Sequence, residues 1–257
     1  MLFRSELFGV QYQVFRHASK AYFNPESEGQ LVVTTVDTSY MFNSDEQRQF
    51  FCVRAMDTDN ESAIANRVGK YGFTLNKPTL PGQTIYNYLS MPLVNSGMSK
   101  ASQVAGAVGG VNAVFKLDPA TNRFSKVYIP GISSARDDFD VPTGLPVLVS
   151  LRNTAPEAWF MTGAVPDSGS IHFTLNRDAV GKYNEITVPL DRPTITNALE
   201  LANAIGGIRA LFKLDPATNR FSKVYIPGVT GQAGNFALQS GEPVLINATN
   251  NTPPVWP

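Results

Sequence analysis

One stretch of this 257-residue chain occurs twice, at 115–131 and again, letter for letter, at 212–228. The residues on either side of each copy match in spacing and residue class rather than in letters. Duplication of this kind indicates that the chain is built from repeats, each a small unit with its own core. We therefore divide it into residues 1–69, a first repeat unit at 70–159 and a second at 160–257.

The duplicated stretch predicts a β-hairpin. Two β-rich runs, 113–117 and 123–129, flank Asp118-Pro-Ala-Thr-Asn122, and the second copy repeats this arrangement around Asp215 to Asn219. Asp opens a type I turn, Pro fixes φ at the next position, and Asn tolerates a positive φ at the end. A hairpin with a four- or five-residue loop is the expected structure.

A short helix is expected before each hairpin. Residues 99–108 and 196–205 place apolar side chains at i, i+3, i+4 and i+7, which is typical of a helix with one buried face. Ser99 and Thr196 are candidate caps, Asn197 has Glu200 at capping-box spacing, and a Gly-Gly pair follows each helix. Further strands on both sides complete a small antiparallel sheet with one helix in each repeat.

Packing and turn geometry account for only part of the duplicated letters. They require the apolar positions and the Asp, Pro and Asn of the loop, but not Ala120, Thr121, Ser125 or Lys126. Two explanations stay open at this stage. Either the hairpin surface is used twice as a contact surface, or the copy is recent.

Residues 8–69 have a different pattern, in which apolar and polar residues alternate in short runs, as is typical of half-buried strands. The segments at 10–16, 38–40 and 50–57 resemble the later strands of a fibronectin type III domain. In that family a Tyr usually lies six residues before the Ala of the last of these strands, and here that position is Gln49. The family needs roughly 90 to 100 residues, so the resemblance implies a partial sandwich that lacks its first strands.

The order of elements in 70–257 is similar to repeat units that follow fibronectin type III domains in large secreted or surface proteins of bacteria. Together the two resemblances predict a mainly β, multidomain chain: a partial immunoglobulin-like β-sandwich followed by two α+β repeats. They imply an extracellular or cell-surface location. No signal peptide is visible, and we expect the chain to be a fragment whose signal peptide lies outside it.

Composition excludes several classes of function. Lys plus Arg and Asp plus Glu are equal at 21 each, so no nucleic-acid partner is expected. No apolar run is long enough for a membrane span.

Cys52 is the single cysteine and is expected to be half-buried. His17 and His172 do not suggest a catalytic or metal site. Asp137, Asp138 and Asp140 cluster in the first repeat only. We expect no enzyme activity, cofactor or metal.

Two sets of residues are candidates for a contact surface. The first is basic and lies on the hairpins; the second consists of both tryptophans of the chain, at one repeat position. The basic residues could engage a protein or an acidic sugar, or could simply keep exposed strands soluble. The indoles could stack on sugar rings, but a packing anchor between neighbouring units is the simpler interpretation. The candidates are Lys116, Arg123, Lys126, Lys213, Arg220, Lys223, Trp159 and Trp256.

The leading functional hypothesis is a non-catalytic structural or adhesive segment of a larger extracellular protein, acting as a spacer or a protein-interaction module. The alternative is a carbohydrate-binding accessory region of a secreted polysaccharide-degrading enzyme. Dependence of polysaccharide binding on either tryptophan would separate the two.

Overall fold

The computed structural model describes residues 10–57 and 60–257. The described chain is mainly β, with several antiparallel sheets and two short helices, α1 (Ala101–Val108) and α2 (Ala198–Ile205). The strands are β1 (Gln11–His17), β2 (Gln30–Thr35), β3 (Arg48–Met56), β4 (Val68–Thr74), β5 (Ile85–Ser90), β6 (Val111–Asp118), β7 (Arg123–Tyr128), β8 (Pro146–Leu151), β9 (Ala158–Ala164), β10 (Phe173–Thr174), β11 (Lys182–Thr187), β12 (Ile208–Asp215), β13 (Arg220–Tyr225), β14 (Pro243–Ala248) and β15 (Val255–Trp256).

The fold separates into two compact units. The first contains the described residues up to Gly72 together with Phe160–Val165, and the second contains Phe73–Trp159 and Pro166–Pro257. Both repeats identified in the sequence therefore lie in the second unit, except for residues 70–72 and the short segment Phe160–Val165, which belong to the first.

The first unit is a five-stranded sheet in the order β2-β1-β3-β4-β9. The alternation in the sequence gives it two apolar faces: Phe50 and Cys52 are fully buried on one, and Tyr12, Val14 and Val53 form a cluster on the other. A second sheet, which a sandwich requires, is not found among the described residues of this unit. The immunoglobulin-like part of the expectation stays a prediction.

Gln49 lies at the position where the resemblance to fibronectin type III domains predicts a tyrosine. Its side chain is buried, and Nε2 donates to Ser44 Oγ at 2.6 Å and to Glu46 Oε2 at 2.8 Å. In a tyrosine corner the phenol hydroxyl bonds to the chain a few residues upstream. The amide of Gln49 makes a comparable local tie, so this strand can begin in an ordered way without the Tyr.

In the second unit each repeat forms a four-stranded antiparallel sheet. The orders are β5-β8-β6-β7 and β11-β14-β12-β13, the same topology used twice. In the second repeat the helix covers one face: Leu201 and Ile205 of α2 lie in one buried cluster with Ile186, Leu211 and Ile246 of the strands. Because side chains alternate along a strand, the neighbours of those strand residues point to the opposite face.

The helix stops are as predicted, but the candidate caps Ser99 and Thr196 are wrong by one residue. Both helices begin two residues after the candidate caps, and the N-cap residues are Lys100 and Asn197. Asn197 Oδ1 accepts from Glu200 N at 3.0 Å, while the Glu200 carboxylate accepts from Thr196 N at 2.6 Å. At the other end Gly109 and its counterpart in α2 have φ of 75°, as expected for a glycine stop.

Candidate functional site

The two hairpins dock on each other's repeats. Asn122, at the end of the first loop, has φ of 57° and its Oδ1 accepts from Tyr183 N at 2.7 Å. Asn219, at φ of 55°, accepts from Tyr86 N at the same distance, and its Nδ2 donates to Thr84 O at 2.7 Å. Each asparagine thus supplies a positive-φ turn and also satisfies backbone groups at the edge strand of the other repeat.

The same hairpin strands meet at an aromatic centre. The rings of Phe124 and Phe221, equivalent residues of the two copies, stack with centroids 5.8 Å apart and planes 10° from parallel. Tyr88 meets both rings edge-on, at 6.3 Å and 5.1 Å. Stacked and edge-to-face pairs of this kind stabilise beyond the area they bury, by about 0.5–1.5 kcal/mol each. The contact between the repeats is therefore reciprocal and packed.

The loop itself is held by residues that packing did not require. Thr121 Oγ1 lies 2.9 Å from Ser125 Oγ, which in turn donates to Asp118 Oδ2 at 3.4 Å. The second copy repeats the pair, with Thr218 and Ser222 at 2.7 Å. These bonds hold the loop that ends in the docking asparagine, so the repeated threonine and serine have a structural use in both copies.

Glu185 breaks the symmetry of this interface. It stands on β11 where the first repeat has Tyr88 on β5, and it is 8% exposed. Oε2 accepts from Leu117 N of the other repeat at 3.0 Å. Oε1 is buried beside the Tyr88 hydroxyl, and a side-chain hydrogen bond between Tyr88 and Glu185 contributes to the pKa shifts of both groups. Burial raises the pKa of the Glu185 carboxyl to about 8, although the Leu117 N–H and the charge of Lys116 oppose the shift.

Tyr88 is affected in the same way. Burial raises the pKa of its phenol well above the usual range, and the neighbouring Glu185 charge adds to the shift. Both groups are therefore neutral at neutral pH. A neutral carboxyl can both donate and accept hydrogen bonds, which an ionised one cannot.

A cavity of about 240 Å³ opens beside Glu185, between the first hairpin and the β10–β11 edge of the second repeat. Lys116 and His172 supply its basic side chains, and threonine and asparagine side chains add polar groups. Burial lowers the pKa of Lys116, and the Glu185 charge opposes this. The cleft therefore places a partly desolvated ammonium and a buried carboxyl on the walls of one small space.

The basic residues singled out from the sequence do not form one patch. Lys116 lies directly opposite Lys126, and Lys213 opposite Lys223, on paired strands. Lys213 forms an ion pair with Glu242 at 3.1 Å. Arg123 and Arg220 instead lie opposite Asp118 and Asp215 at the ends of the hairpins. Only Lys116 of this set lines the cleft.

The two tryptophans are packing residues. Trp159 and Trp256 are each 5% exposed and stack on Phe73 and Phe173, with centroids 5.5 Å and 5.9 Å apart. Their indole faces are thus covered, and a sugar ring has no open platform there. The anchor differs from the expected one, because each indole packs within its own repeat rather than between neighbouring units.

The remaining candidates have local roles. His17 Nδ1 accepts from Ser19 N and Lys20 N, both at 3.0 Å, in a turn. Cys52 is fully buried rather than half-buried, and burial raises the pKa of its thiol. Asp138 bonds to Ser102 N at 2.8 Å at the start of α1. Within residues 10–57 and 60–257, no group of three or more His, Cys, Asp or Glu side chains could hold a metal ion.

Sequence reasoning missed Tyr88, Glu185, Phe124 and Phe221. The available signal was the replacement of Tyr88 by Glu185 at one repeat position inside an apolar strand.

In the part of the chain described by the structure, neither helix has the length and apolar character needed to span a bilayer. No protein-family model, curated protein or solved structure matches the chain.

Proposed function

We propose that this chain is a non-catalytic structural or adhesive segment of a larger extracellular or cell-surface protein, in which the paired repeats act as a spacer or interaction module. The observation that supports it best is the reciprocal docking of Asn122 and Asn219 on the backbone of the opposite repeat, each at 2.7 Å. An interface that uses the same surface on both partners is isologous and closes on itself. The pair therefore resists separation as one body.

The chemistry of the histidines and tryptophans is in keeping with this proposal. His17 is engaged by backbone N–H groups, and the exposed His172 has its Nδ1 2.8 Å from Pro257 O. The carbohydrate-binding alternative depended on open indole faces, and these are stacked on phenylalanines. The tryptophans therefore do not support the carbohydrate-binding alternative.

Single-molecule stretching of the chain between two handles tests the spacer proposal. We expect residues 73–159 and 166–257 to unfold in one cooperative step whose contour length covers both repeats. The variant Asn219→Ala should divide that step into two at lower force, because one side of the docking is lost. Two independent low-force steps in the unmodified chain would contradict the proposal.

A further inference from the structure

A second cavity, of about 430 Å³, lies between the end of the first hairpin and the sheet of the second repeat. Much of its lining is apolar and comes from the second repeat: Tyr183, Phe212, Val224 and Ile226. The rings of Tyr183 and Phe212 meet edge-on with their centroids 5.6 Å apart, and all four side chains are half-buried. The cavity therefore keeps accessible apolar surface, and its volume is typical of a small-molecule site.

Arg209 brings a positive charge to this cavity. It is an exposed residue of β12 and belongs to the lining. Its Nη1 donates to the backbone oxygen of Val180 at 2.6 Å, and Val180 is itself a lining residue that is 75% exposed. The guanidinium therefore lies at the mouth of the cavity. Among the described residues no carboxylate forms an ion pair with Arg209, so its charge is not neutralised.

The first repeat shares the aromatic part of this arrangement but not the charge. Its equivalent aromatic residues, Tyr86 and Phe115, also meet edge-on, with centroids 5.8 Å apart. The position of Arg209, however, is occupied by Asn112 in the first repeat. The aromatic pair thus belongs to the repeat as such, whereas the cation is particular to the second copy.

We propose that this cavity binds a carboxylate that carries an aromatic or aliphatic group. The carboxylate pairs with the guanidinium of Arg209, whose planar fork matches two carboxylate oxygens and has four N–H donors besides the one that Val180 takes. The apolar group covers the accessible faces of Tyr183 and Phe212 and so leaves water. A free organic acid and the C-terminus of a peptide share this chemistry. The inference goes beyond the spacer function and does not depend on it.

Titration followed by ¹H–¹⁵N NMR tests the proposal on the full chain. The amide of Tyr183 is the reporter, because this residue lines the cavity, and the amide of Tyr86, at the equivalent position, is the internal control. Phenylacetate represents a free acid and N-acetylphenylalanine a peptide terminus, and the tighter of the two identifies the source. We expect a saturable shift at Tyr183, with millimolar or tighter affinity, and none at Tyr86.

Two further compounds separate the contributions of charge and ring. Phenylacetamide keeps the ring and lacks the charge, and acetate keeps the charge and lacks the ring. Each should bind about tenfold more weakly than phenylacetate, or weaker still. Equal affinity for phenylacetate and phenylacetamide, or the absence of a saturable shift at Tyr183 with both acids, would overturn the proposal.

A variant taken from the first repeat assigns the binding to the guanidinium. Arg209→Asn installs the residue that the first repeat carries at this position. It should weaken the binding of both acids about tenfold or more, the size expected for a charge-assisted hydrogen bond. Arg192→Asn removes a charge of the second repeat that does not line the cavity, and it should leave the affinity unchanged. Equal loss in the two variants would refute the role of Arg209, and far-ultraviolet circular dichroism checks that both are folded.

Discussion

Tyr88 and Glu185 occupy the same position of the two repeats, on β5 and β11, and both are buried where the repeats meet. The tyrosine packs edge-on against Phe124 and Phe221, whereas the glutamate takes a backbone bond from Leu117. The two repeats therefore contribute different side chains to the interface at this position: the first contributes an aromatic ring and the second a carboxyl group. The ionisable side makes the stability of the repeat pair depend on pH.

We predict that the chain loses stability as the pH rises from 4.5 to about 8. The pKa of Glu185 is about 8 when folded against a reference of 4.5, so the folded chain holds a proton that the unfolded chain has released. The contribution is fully present below pH 4.5 and is lost by about pH 8, at up to about 1.4 kcal/mol per pH unit. Urea unfolding at several pH values measures it.

The matched variant for that measurement is Glu185→Gln, which keeps the shape of the side chain and removes the titration. Its unfolding free energy should change less with pH than that of the unmodified chain. Glu242→Gln, at the partly exposed ion pair with Lys213, serves as the control and should keep the original slope. Parallel pH curves for the unmodified chain and Glu185→Gln would exclude Glu185 as the source.

Replacing Asn219 tests the docking of the second hairpin. Asn219→Gly keeps the positive φ of 55° and removes the bonds to Tyr86 and Thr84. We expect the free energy of unfolding to fall by about 1–3 kcal/mol, because a half-buried backbone donor is left unpaired. Asn219→Ala should cost more, since Ala does not favour this region of φ. Amide hydrogen exchange should speed up at Tyr86 but not at Tyr183, and equal exchange at both would contradict the assignment.

The tryptophans should report burial rather than ligand contact. Both are 5% exposed, so their fluorescence emission should be blue-shifted, and iodide should quench it weakly. Trp159→Ala should cost roughly 3–5 kcal/mol, the usual range for a buried large aromatic. Phe160→Ala, at a neighbouring side chain that is 40% exposed, is the comparison and should cost less. Strong quenching by iodide in the folded chain would show that an indole face is open.

Two glycines near the first helix should respond in opposite directions to alanine. A Cβ on Gly110, whose φ is 61°, would lie 2.6 Å from Ala155 Cα. Gly110→Ala should therefore lower the free energy of unfolding by roughly 1 kcal/mol or more. Gly106 lies inside α1 and has no atom within 4 Å of an added Cβ. Gly106→Ala should therefore stabilise by about 0.5–1 kcal/mol. Thermal unfolding of both variants measures the difference; destabilisation by Gly106→Ala would refute the open-site assignment.

Local features of the fold could be predicted from the sequence because each depends on a few adjacent residues. The hairpin loop, with Asn122 at φ of 57°, and the glycine stop at Gly109 are of this kind. The docking of Asn122 on Tyr183 could not be predicted, since the two residues are distant in sequence and no local signal sets their pairing. The return of β9 to the first sheet escaped prediction for the same reason.

The residues of the candidate site also divide into those that the sequence indicates and those that only tertiary contacts identify. Lys116 was identified because it recurs in both copies, and it does line the cleft. Glu185 was missed, because a single carboxylate in an apolar strand gives no pattern to recognise. The indoles were recognised as equivalent, but their partners Phe73 and Phe173 depend on how separate strands meet. Repetition therefore located the elements, and only the tertiary contacts assigned their partners.

The reciprocal bonds of Asn122 and Asn219 also bear on how the duplicated gene segment can change over generations. A substitution in one hairpin alters a surface that must still fit the opposite repeat, so drift in one copy is penalised unless the other copy changes with it. A recombination event that rewrites one copy from the other gives the rewritten hairpin the residues that already dock in the other copy, and so keeps the fit. Shared use and recent copying are thus compatible explanations, because mutual docking rewards the homogenisation that makes the letters identical.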